Sequence, residues 1–191
     1  MLYKLAHILQ SRLTFIWTLI EWLNALLFAL RYRTALQRCS QHLAQQHLRL
    51  ATTADAEALA GFFARQPEGA FRFFRPHAFD ATTLHTLLGR RSWIIFVAEE
   101  EERIVGYGFL RCFFIGKSYL GKMVDHQHQG RGIAQRMCLS AMAIATDCGL
   151  HMYESINREN MASLRSSQKV LHTEVLEELE DGDMLIEDTP L

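Results

Sequence analysis

The sequence lacks several patterns that would each have identified a class of protein. Four cysteines are present, at Cys39, Cys112, Cys138 and Cys148. They include no C-x-x-C pair, which argues against a disulfide framework and predicts reduced thiols in a cytosolic protein. The net charge is −1 at pH 7 and the cations are scattered, so there is no basic excess for binding nucleic acid. No G-x-x-x-x-G-K-[ST] run occurs, which excludes a Walker phosphate loop.

The composition predicts a folded chain. The 191 residues are 49% hydrophobic and 21% charged, which is enough apolar surface for a core and too little charge for a disordered chain. This length suits one domain with an appendage. We place the appendage at residues 1–46 and the domain at residues 47–191.

The appendage contains an apolar run at residues 13–30, interrupted by Glu21 and Asn24. A membrane span needs about 20 such residues, and a central glutamate costs roughly 2.5–3.5 kcal/mol on insertion. Trp17 and Trp22 lie near the middle of the run, whereas spanning helices prefer tryptophan at their ends. Three hypotheses stay open: the helix spans a membrane, lies on its surface, or packs against the domain or a partner subunit, a second copy included.

The charges that flank this run predict an orientation. Arg31, Arg33 and Arg38 follow it and outweigh Lys4 and Arg12, which precede it. The more positive side of a membrane segment stays in the cytoplasm. We therefore expect a cytoplasmic domain, either free or on the cytoplasmic face of a membrane. A signal peptide is disfavoured because no small-residue cleavage site follows the run.

Residues 47–191 show a regular succession of strand and helix patterns. The predicted order is strand, two helices, three strands, helix, strand, helix and two strands. The predicted strands cover residues 47–51, 92–99, 104–114, 119–124, 150–156, 172–180 and 184–187. The predicted helices follow Thr53 and then cover residues 81–88, 133–148 and 157–169. Asp181 and Gly182 predict a hairpin between the last two strands.

A glycine turn between the fourth strand and the third helix is the most informative stretch. Gly130 and Gly132 remove the Cβ atoms that would block a ligand, and Arg131 adds a cation. A strand-to-helix turn also directs backbone N–H groups and the positive end of a helix dipole at one point. These features predict a phosphate or pyrophosphate site. Gln135 stands where the dinucleotide fingerprint needs its third glycine, which excludes that motif.

The turn resembles the signature of the Gcn5-related N-acetyltransferase (GNAT) superfamily. Gln129, Gly132 and Ala134 match its Q/R-x-x-G-x-G/A pattern, and Val124 matches the valine that ends the fourth strand. The V-A-E and I-V-G-Y-G runs also resemble its second and third strands. The resemblance covers residues 47–191 and implies an α+β fold of three layers, with a mixed, largely antiparallel central sheet flanked by helices. The apolar N-terminal helix would be an addition.

The resemblance implies a site for acetyl-coenzyme A as the acetyl donor. Met123 and Val124 would supply the backbone contact to the thioester carbonyl, and Asn160 would contact the coenzyme arm. The pyrophosphate would lie on the turn residues Gln129, Gly130, Arg131, Gly132, Ile133 and Ala134. No metal is expected, because His126 and His128 lack a third ligand in the sequence and the family needs none.

The acid and the base depart from the family pattern. The tyrosine acid commonly found seven residues after the asparagine is replaced by Ser167. A serine hydroxyl there could only hydrogen-bond the sulfur, and Ser166 is an alternative. Glu154 is the candidate base, because it shares a strand face with Met152 and Ile156 and would be partly buried with a raised pKa. A purely structural ion pair is the alternative role for Glu154.

Three further residues are candidate acceptor contacts. Lys122 occupies a fourth-strand position that is usually apolar and would bind an acidic group of the acceptor. Phe74 and His77 lie in the aromatic stretch at residues 70–80, which in the family lines the acceptor side of the cleft. The alternative for most phenylalanines of this stretch is that they cover the core.

The sequence therefore predicts an acetyl-CoA-dependent N-acetyltransferase. The acceptor would be a primary amine of a small molecule, such as an amino sugar, or of a protein. The competing hypothesis is a scaffold that binds coenzyme A without turnover and associates with a membrane or a complex. A third hypothesis is transfer of a longer acyl chain at a membrane.

Overall fold

The computed structural model describes residues 14–191, so predictions for residues 1–13, Lys4 and Arg12 among them, fall outside the described residues. The described helices are α1 (Thr14–Arg31), α2 (Arg33–Leu36), α3 (Cys39–Gln45), α4 (Ala56–Ala64), α5 (Ala81–Leu88), α6 (Ile133–Asp147) and α7 (Met161–Gln168). The strands are β1 (Arg49–Leu50), β2 (Trp93–Glu100), β3 (Arg103–Phe113), β4 (Lys117–Val124), β5 (His151–Asn157), β6 (Leu171–Glu178) and β7 (Asp183–Pro190). Short 3-10 turns occur at Thr53–Asp55, Glu68–Phe71 and His126–His128.

The seven strands form one sheet in the order β1-β2-β3-β4-β5-β7-β6. The β4–β5 pair is parallel and the other neighbouring pairs are antiparallel. Tight turns join β2 to β3, β3 to β4 and β6 to β7, whereas the parallel pair is connected through α6, as a crossover requires. The predicted mixed, largely antiparallel sheet and the predicted order of elements are confirmed.

Two apolar clusters cover the two faces of the sheet, which gives three layers. On one face α4 and α5 pack against the sheet through Leu59, Phe62 and Leu84. On the other face the central helix is α6, which contributes Met137 and Ile144 among others. The apolar positions of both layers recur at helical spacing, which is why the sequence predicted these helices.

The N-terminal helices belong to the second of these clusters. Phe28 and Tyr32 lie with their ring centroids 4.8 Å apart and pack into the core beside α6. Ala35, Cys39 and Leu43 continue the same contact along α2 and α3. The boundary at residue 46 stays a prediction, and the core crosses it, so experiments on this protein need the full chain.

Within residues 14–191, no helix is both long enough and apolar enough to cross a membrane.

The strands β4 and β5 diverge along their length. Their pairing runs from Lys117 with His151 to Tyr119 with Tyr153 and stops there. Beyond Tyr119, β4 stays paired with β3 on its other side, as far as the Val124–Gly106 pair. Peptide groups of the second half of β4 that face β5 therefore have no strand partner, and the sheet opens where the glycine turn begins.

Candidate active site

The glycine turn presents unused backbone donors. Gly130 and Gly132 adopt left-handed conformations with φ of 76° and 77°, which explains the need for glycine at both positions. A Cβ atom at Gly130 would meet nothing within 4 Å, so the space above the turn is open. Gly132 is the N-cap of α6 and has no side chain to occupy the first N–H groups of the helix. The turn can therefore receive an anion, and the pyrophosphate site on it stays a prediction.

Asp125 holds the turn in place at the end of β4. Its buried carboxylate accepts hydrogen bonds from the Gln127 N–H (3.0 Å), Gln66 Nε2 (3.2 Å) and Arg65 Nε (3.1 Å). Its own N–H donates to the Val105 carbonyl at 2.9 Å. Burial by itself would raise the pKa of Asp125, but these donors stabilise the charged form and lower the pKa well below its usual value.

We expect Asp125→Asn to destabilise the fold by about 2 kcal/mol at neutral pH, because a charged acceptor of several buried hydrogen bonds is lost. The folded pKa lies below the unfolded one, so this stabilisation is present above about pH 4 and disappears as the pH falls further. Urea unfolding of both proteins from about pH 7 to about pH 3 measures this. Equal stability of the two proteins at neutral pH would contradict the anchoring role.

A cavity of about 500 Å³ fills the opening between β4 and β5 and extends to the glycine turn. Gly121, Lys122, Met123 and Val124 form its β4 wall, and Glu154, Ser155 and Ile156 its β5 wall. At one end lie the turn residues Gln129, Gly130, Gly132, Ile133 and Ala134. The α7 side provides Asn160, Ala162, Ser163, Arg165, Ser166 and Lys169, and the aromatic stretch provides Gly69, Ala70, Phe73 and Phe74.

A buried charged cluster lies in the wall of this cavity. Lys122 Nζ on β4 is ion-paired with Glu154 Oε2 on β5 and donates to Ser167 Oγ at 3.0 Å. Ser167 Oγ donates to the other carboxylate oxygen of Glu154 at 2.7 Å. Burial opposes the charge of Lys122, but Cys138, Glu154 and Asp188 raise its pKa above the ordinary value. Lys122 is therefore a charged ammonium group at neutral pH.

Asp188 on β7 completes the cluster. Its carboxyl group is buried beside that of Glu154, and burial first and the Glu154 charge second raise its pKa to about 8. Burial also raises the pKa of the Cys138 thiol, which lies 3.6 Å from Ser167 Oγ. At neutral pH the cluster therefore holds the ammonium group of Lys122 and a protonated Asp188 beside Glu154.

Three predicted site residues lie away from the wall of the cavity. Arg131 turns outward, where its Nη1 is 3.1 Å from Glu100 Oε2. Ser167 is buried behind Glu154, and its neighbour Ser166 lines the cavity instead. His77 lies among aromatic rings, with Nε2 2.8 Å from the Tyr107 hydroxyl, and burial lowers its pKa. The other predicted residues line the cavity together, Lys122, Phe74 and Asn160 among them.

Asn160 also serves as the N-cap of α7, where its Oδ1 accepts from the Ser163 N–H at 3.3 Å. Phe71, Phe74 and Phe79 pack against the core, as the alternative for this stretch proposed, while Phe73 is partly exposed at the cavity mouth.

Sequence reasoning missed three residues of this site. Asp188 lies on the same face of β7 as Ile186 and Met184, because the three residues are spaced by two. That spacing marks Asp188 as inward-facing. Arg165 and Lys169 are four residues apart on one face of α7 and place two cations at the cavity. The spacing of Arg165 and Lys169 was visible in the sequence, but the sequence did not show that this face of the helix points towards the cavity.

Among residues 14–191, no group of three or more His, Cys, Asp or Glu side chains is arranged to hold a metal ion. His126 Nδ1 lies 3.4 Å from Gln66 Oε1, and His128 Nδ1 lies 3.3 Å from Asp125 Oδ1.

Comparison with known proteins identifies the architecture. Residues 91–169 match the family model described as an acetyltransferase (GNAT) domain. The GNAT domain of PAT from S. lividans superimposes with a TM-score of 0.64 at 18% identity, over 74% of this chain and 89% of that one. The protein yncA from Salmonella typhimurium, solved with its cofactor acetyl-CoA, gives 0.58 at 20% identity, over 75% and 92%. The ribosomal-protein-alanine N-acetyltransferase from Brucella melitensis gives 0.57 at 23% identity, over 75% and 99%.

No curated protein matches the sequence. The structural similarities establish the fold, and the family model adds a sequence match across β2 to α7, which includes the glycine turn. The chain thus has the fold of GNAT domains, and its residues 91–169 match the GNAT domain model, which confirms the resemblance seen in the sequence over those residues.

Proposed function

We propose that the protein is an acetyl-CoA-dependent N-acetyltransferase that acts on a primary amine. The observation that carries this proposal is the continuous cavity between β4 and β5. It has an uncapped glycine turn at one end and a buried carboxylate, Glu154, in its wall. Acetyl transfer needs both features. The turn is an anion site that can bind the donor, and Glu154, at a distance from it, can accept a proton from the amine.

The residues present fit the donor. The free N–H groups at the start of α6 suit its pyrophosphate, since the space above Gly130 is open and a Cβ at Gly132 would meet only Gln135 Oε1, at 3.7 Å. Arg165 and Lys169 add positive charge on the α7 side, where the anionic end of a coenzyme would lie. The narrow part of the cavity, between the diverging strands β4 and β5, suits the uncharged arm of the coenzyme.

Polarisation of the thioester carbonyl is assigned to the backbone of β4. The unpaired peptide groups near Met123 and Val124 face the cavity side of the strand, and an N–H there can stabilise negative charge that develops on the carbonyl oxygen. Because this role belongs to the backbone, it depends on the separation of the strands and not on the identity of the side chains.

Glu154 is proposed as the proton acceptor. Its carboxylate lines the cavity, and Ser167 and Lys122 each hold one of its oxygens, which fixes its position. The amine nitrogen bonds to the carbonyl carbon and gives up one proton to Glu154. The carbon–sulfur bond then breaks, and the proton passes to the departing thiolate, which leaves as the coenzyme thiol. Ser167 is a positioning residue in this scheme, because Glu154 lies between it and the cavity.

The acceptor side is bounded by the aromatic stretch. Phe73 and Phe74 give the mouth of the cavity apolar walls, which suits the carbon skeleton beside an amine. The name of the Brucella neighbour points to an alanine of a ribosomal protein, and an amino sugar is the other acceptor that the sequence suggested. Lys122 is held by Glu154, so a neutral amine fits this site better than a charged one.

The test is coenzyme A release by the full chain with acetyl-CoA and a panel of amines. The panel contains an aminoglycoside, a peptide with N-terminal alanine and a lysine peptide. For an acceptor that turns over, Glu154→Gln should lower kcat by about 100-fold, the usual size of a general-base contribution, with little change in KM for acetyl-CoA.

The matched control is Glu187→Gln, the same change on β7, where Glu187 pairs with His151 outside the cavity. It should leave kcat within about twofold of the parent. A Glu154→Gln variant as active as the parent would reject Glu154 as the base, although the donor site would stand.

The scaffold without turnover is the second candidate, because both oxygens of Glu154 are engaged and Ser167 replaces the usual tyrosine. Acetyl-CoA binding without thiol release for every amine of the panel would favour it over the enzyme.

A further inference from the structure

The helix α1 is oriented with its polar residues inward. Glu21 is buried, and its carboxylate pairs with Arg111 Nη2 at 2.5 Å and with Arg90 Nη1 at 3.8 Å. Asn24 Nδ2 donates to the Cys112 carbonyl at 3.0 Å, and Asn24 Oδ1 accepts from the Phe114 N–H at 3.0 Å. The two residues that interrupt the apolar run therefore bind the domain, and the apolar face of α1 points outward.

The outward face is a wide, uninterrupted apolar surface. It consists of Ile16, Leu19, Ile20, Trp22, Leu23, Leu26 and Leu30, all of them exposed. The β3–β4 turn extends it with the exposed Phe114 and Ile115. Hydrogen bonds from Arg31 and to Asn24 hold Phe114 against the helix, so helix and turn form one surface, here called the α1 face. Soluble monomers seldom expose a contiguous apolar patch of this size, and such patches mark interaction sites.

Cations without counter-charges surround the α1 face. Arg31 and Arg33 are exposed at the end of the helix, and Lys117 is exposed just after the turn. Within residues 14–191, none of these three cations forms an ion pair, and Glu21, the acidic residue of α1, is buried and paired with Arg111. The surroundings of the α1 face are therefore positive.

A second copy of the chain would bring an equally positive rim against this one. An anionic lipid surface is complementary to both features, since it takes the apolar side chains below the headgroups and the cations at the headgroup level. Insertion across the bilayer is disfavoured, because α1 would have to abandon the buried partners of Glu21 and Asn24.

We propose that the α1 face binds the surface of an anionic lipid bilayer, with α1 lying in the plane of the interface and the sheet on the aqueous side. Trp22, which is 60% exposed, sits at the edge of the face, where tryptophan is favoured at a membrane interface. This proposal is independent of catalysis and would place the cavity of the domain near a membrane.

The test is flotation of the full chain with vesicles of phosphatidylglycerol and phosphatidylcholine in equal parts, and with vesicles of phosphatidylcholine alone. The protein should float with the anionic vesicles, float less with the neutral ones, and be released in part by high salt. Leu19→Glu with Leu23→Glu should weaken partitioning at least about tenfold, because two charges would enter the apolar layer.

The matched control is Val175→Glu with Leu176→Glu on β6, which adds the same two charges at side chains 49% and 46% exposed, against 51% and 46% for Leu19 and Leu23. It should float as the parent does, and circular dichroism would verify that all variants are folded. Three results would overturn the proposal: no flotation, flotation that the double change in α1 leaves intact, or equal binding to neutral vesicles. A dimer in sedimentation that the double change in α1 dissociates, without vesicle binding, would assign the α1 face to a second copy instead.

Discussion

Lys122→Met is expected to destabilise the folded chain by about 3–5 kcal/mol, because it leaves a buried carboxylate without its cation. Methionine nearly matches the shape of the lysine stem, so packing changes little and the loss reports the charge. Glu154 would then lie beside Asp188 and keep the Ser167 hydroxyl as a donor, but it would have no cation. Urea unfolding near neutral pH, followed by circular dichroism, measures the difference.

The pH dependence of this cluster has a defined sign. The folded pKa of Asp188, about 8, lies above its ordinary value of 3.8. Its contribution to stability is therefore complete below about pH 4 and is lost as the pH rises towards 8. We expect the free energy of unfolding of the parent to decrease over that interval relative to Asp188→Asn, which cannot ionise.

Lys117→Met is the matched lysine control. Lys117 begins the same strand but is exposed, and its ammonium group lies 5.6 Å from the centre of the Tyr153 ring. Its replacement should cost less than about 1 kcal/mol. Adding Glu154→Gln to Lys122→Met should restore most of the lost stability, since the uncompensated charge is removed. A loss below about 1 kcal/mol for Lys122→Met alone would contradict the buried ion pair.

Gly132→Glu is expected to weaken acetyl-CoA binding at least about a thousandfold. Glutamate at this position would adopt the left-handed backbone of Gly132 with strain, and its carboxylate would stand at the N-terminus of α6, where phosphate is expected. Like charges placed together cost several kcal/mol, and about 4 kcal/mol corresponds to a thousandfold. Calorimetric titration of the full chain gives both affinities, and the ligand-induced rise in Tm should vanish in the variant.

The matched control is Gly116→Glu at the β3–β4 turn. Gly116 has φ of 92°, and a Cβ atom there would meet nothing within 4 Å. Glutamate at this position therefore introduces the same strain and charge far from the α6 N-terminus. This variant should lose some stability but keep its affinity for acetyl-CoA. If both variants lost affinity equally, the effect would come from strain or net charge, and the turn would not be the pyrophosphate site. If neither the parent nor the variants bound acetyl-CoA, the proposed function itself would fail.

The sequence by itself determined the order of elements and the glycine turn. Three local patterns predicted the elements: the alternation along strands, the helical spacing of residues such as Met137 and Ile144, and the hairpin signal at Asp181 and Gly182. These patterns depend only on neighbouring residues, so they can be identified without the tertiary structure. The same holds for Gly130 and Gly132, because a left-handed backbone excludes most other residues. The placement of Glu154 on one strand face with Met152 and Ile156 also rests on local spacing, and the side chain is buried.

Only the tertiary structure decided which polar groups meet. Lys122, Glu154, Ser167 and Asp188 come from four elements, and their cluster depends on strand order and register, which periodicity does not encode. The tertiary structure likewise decided which face of α1 is covered. The partners of Glu21 and Asn24 are Arg90, Arg111 and Cys112, far away in the chain. The pattern of apolar and polar residues along a helix shows that its two faces differ. Long-range packing decides which of the two faces is covered, and by which part of the chain.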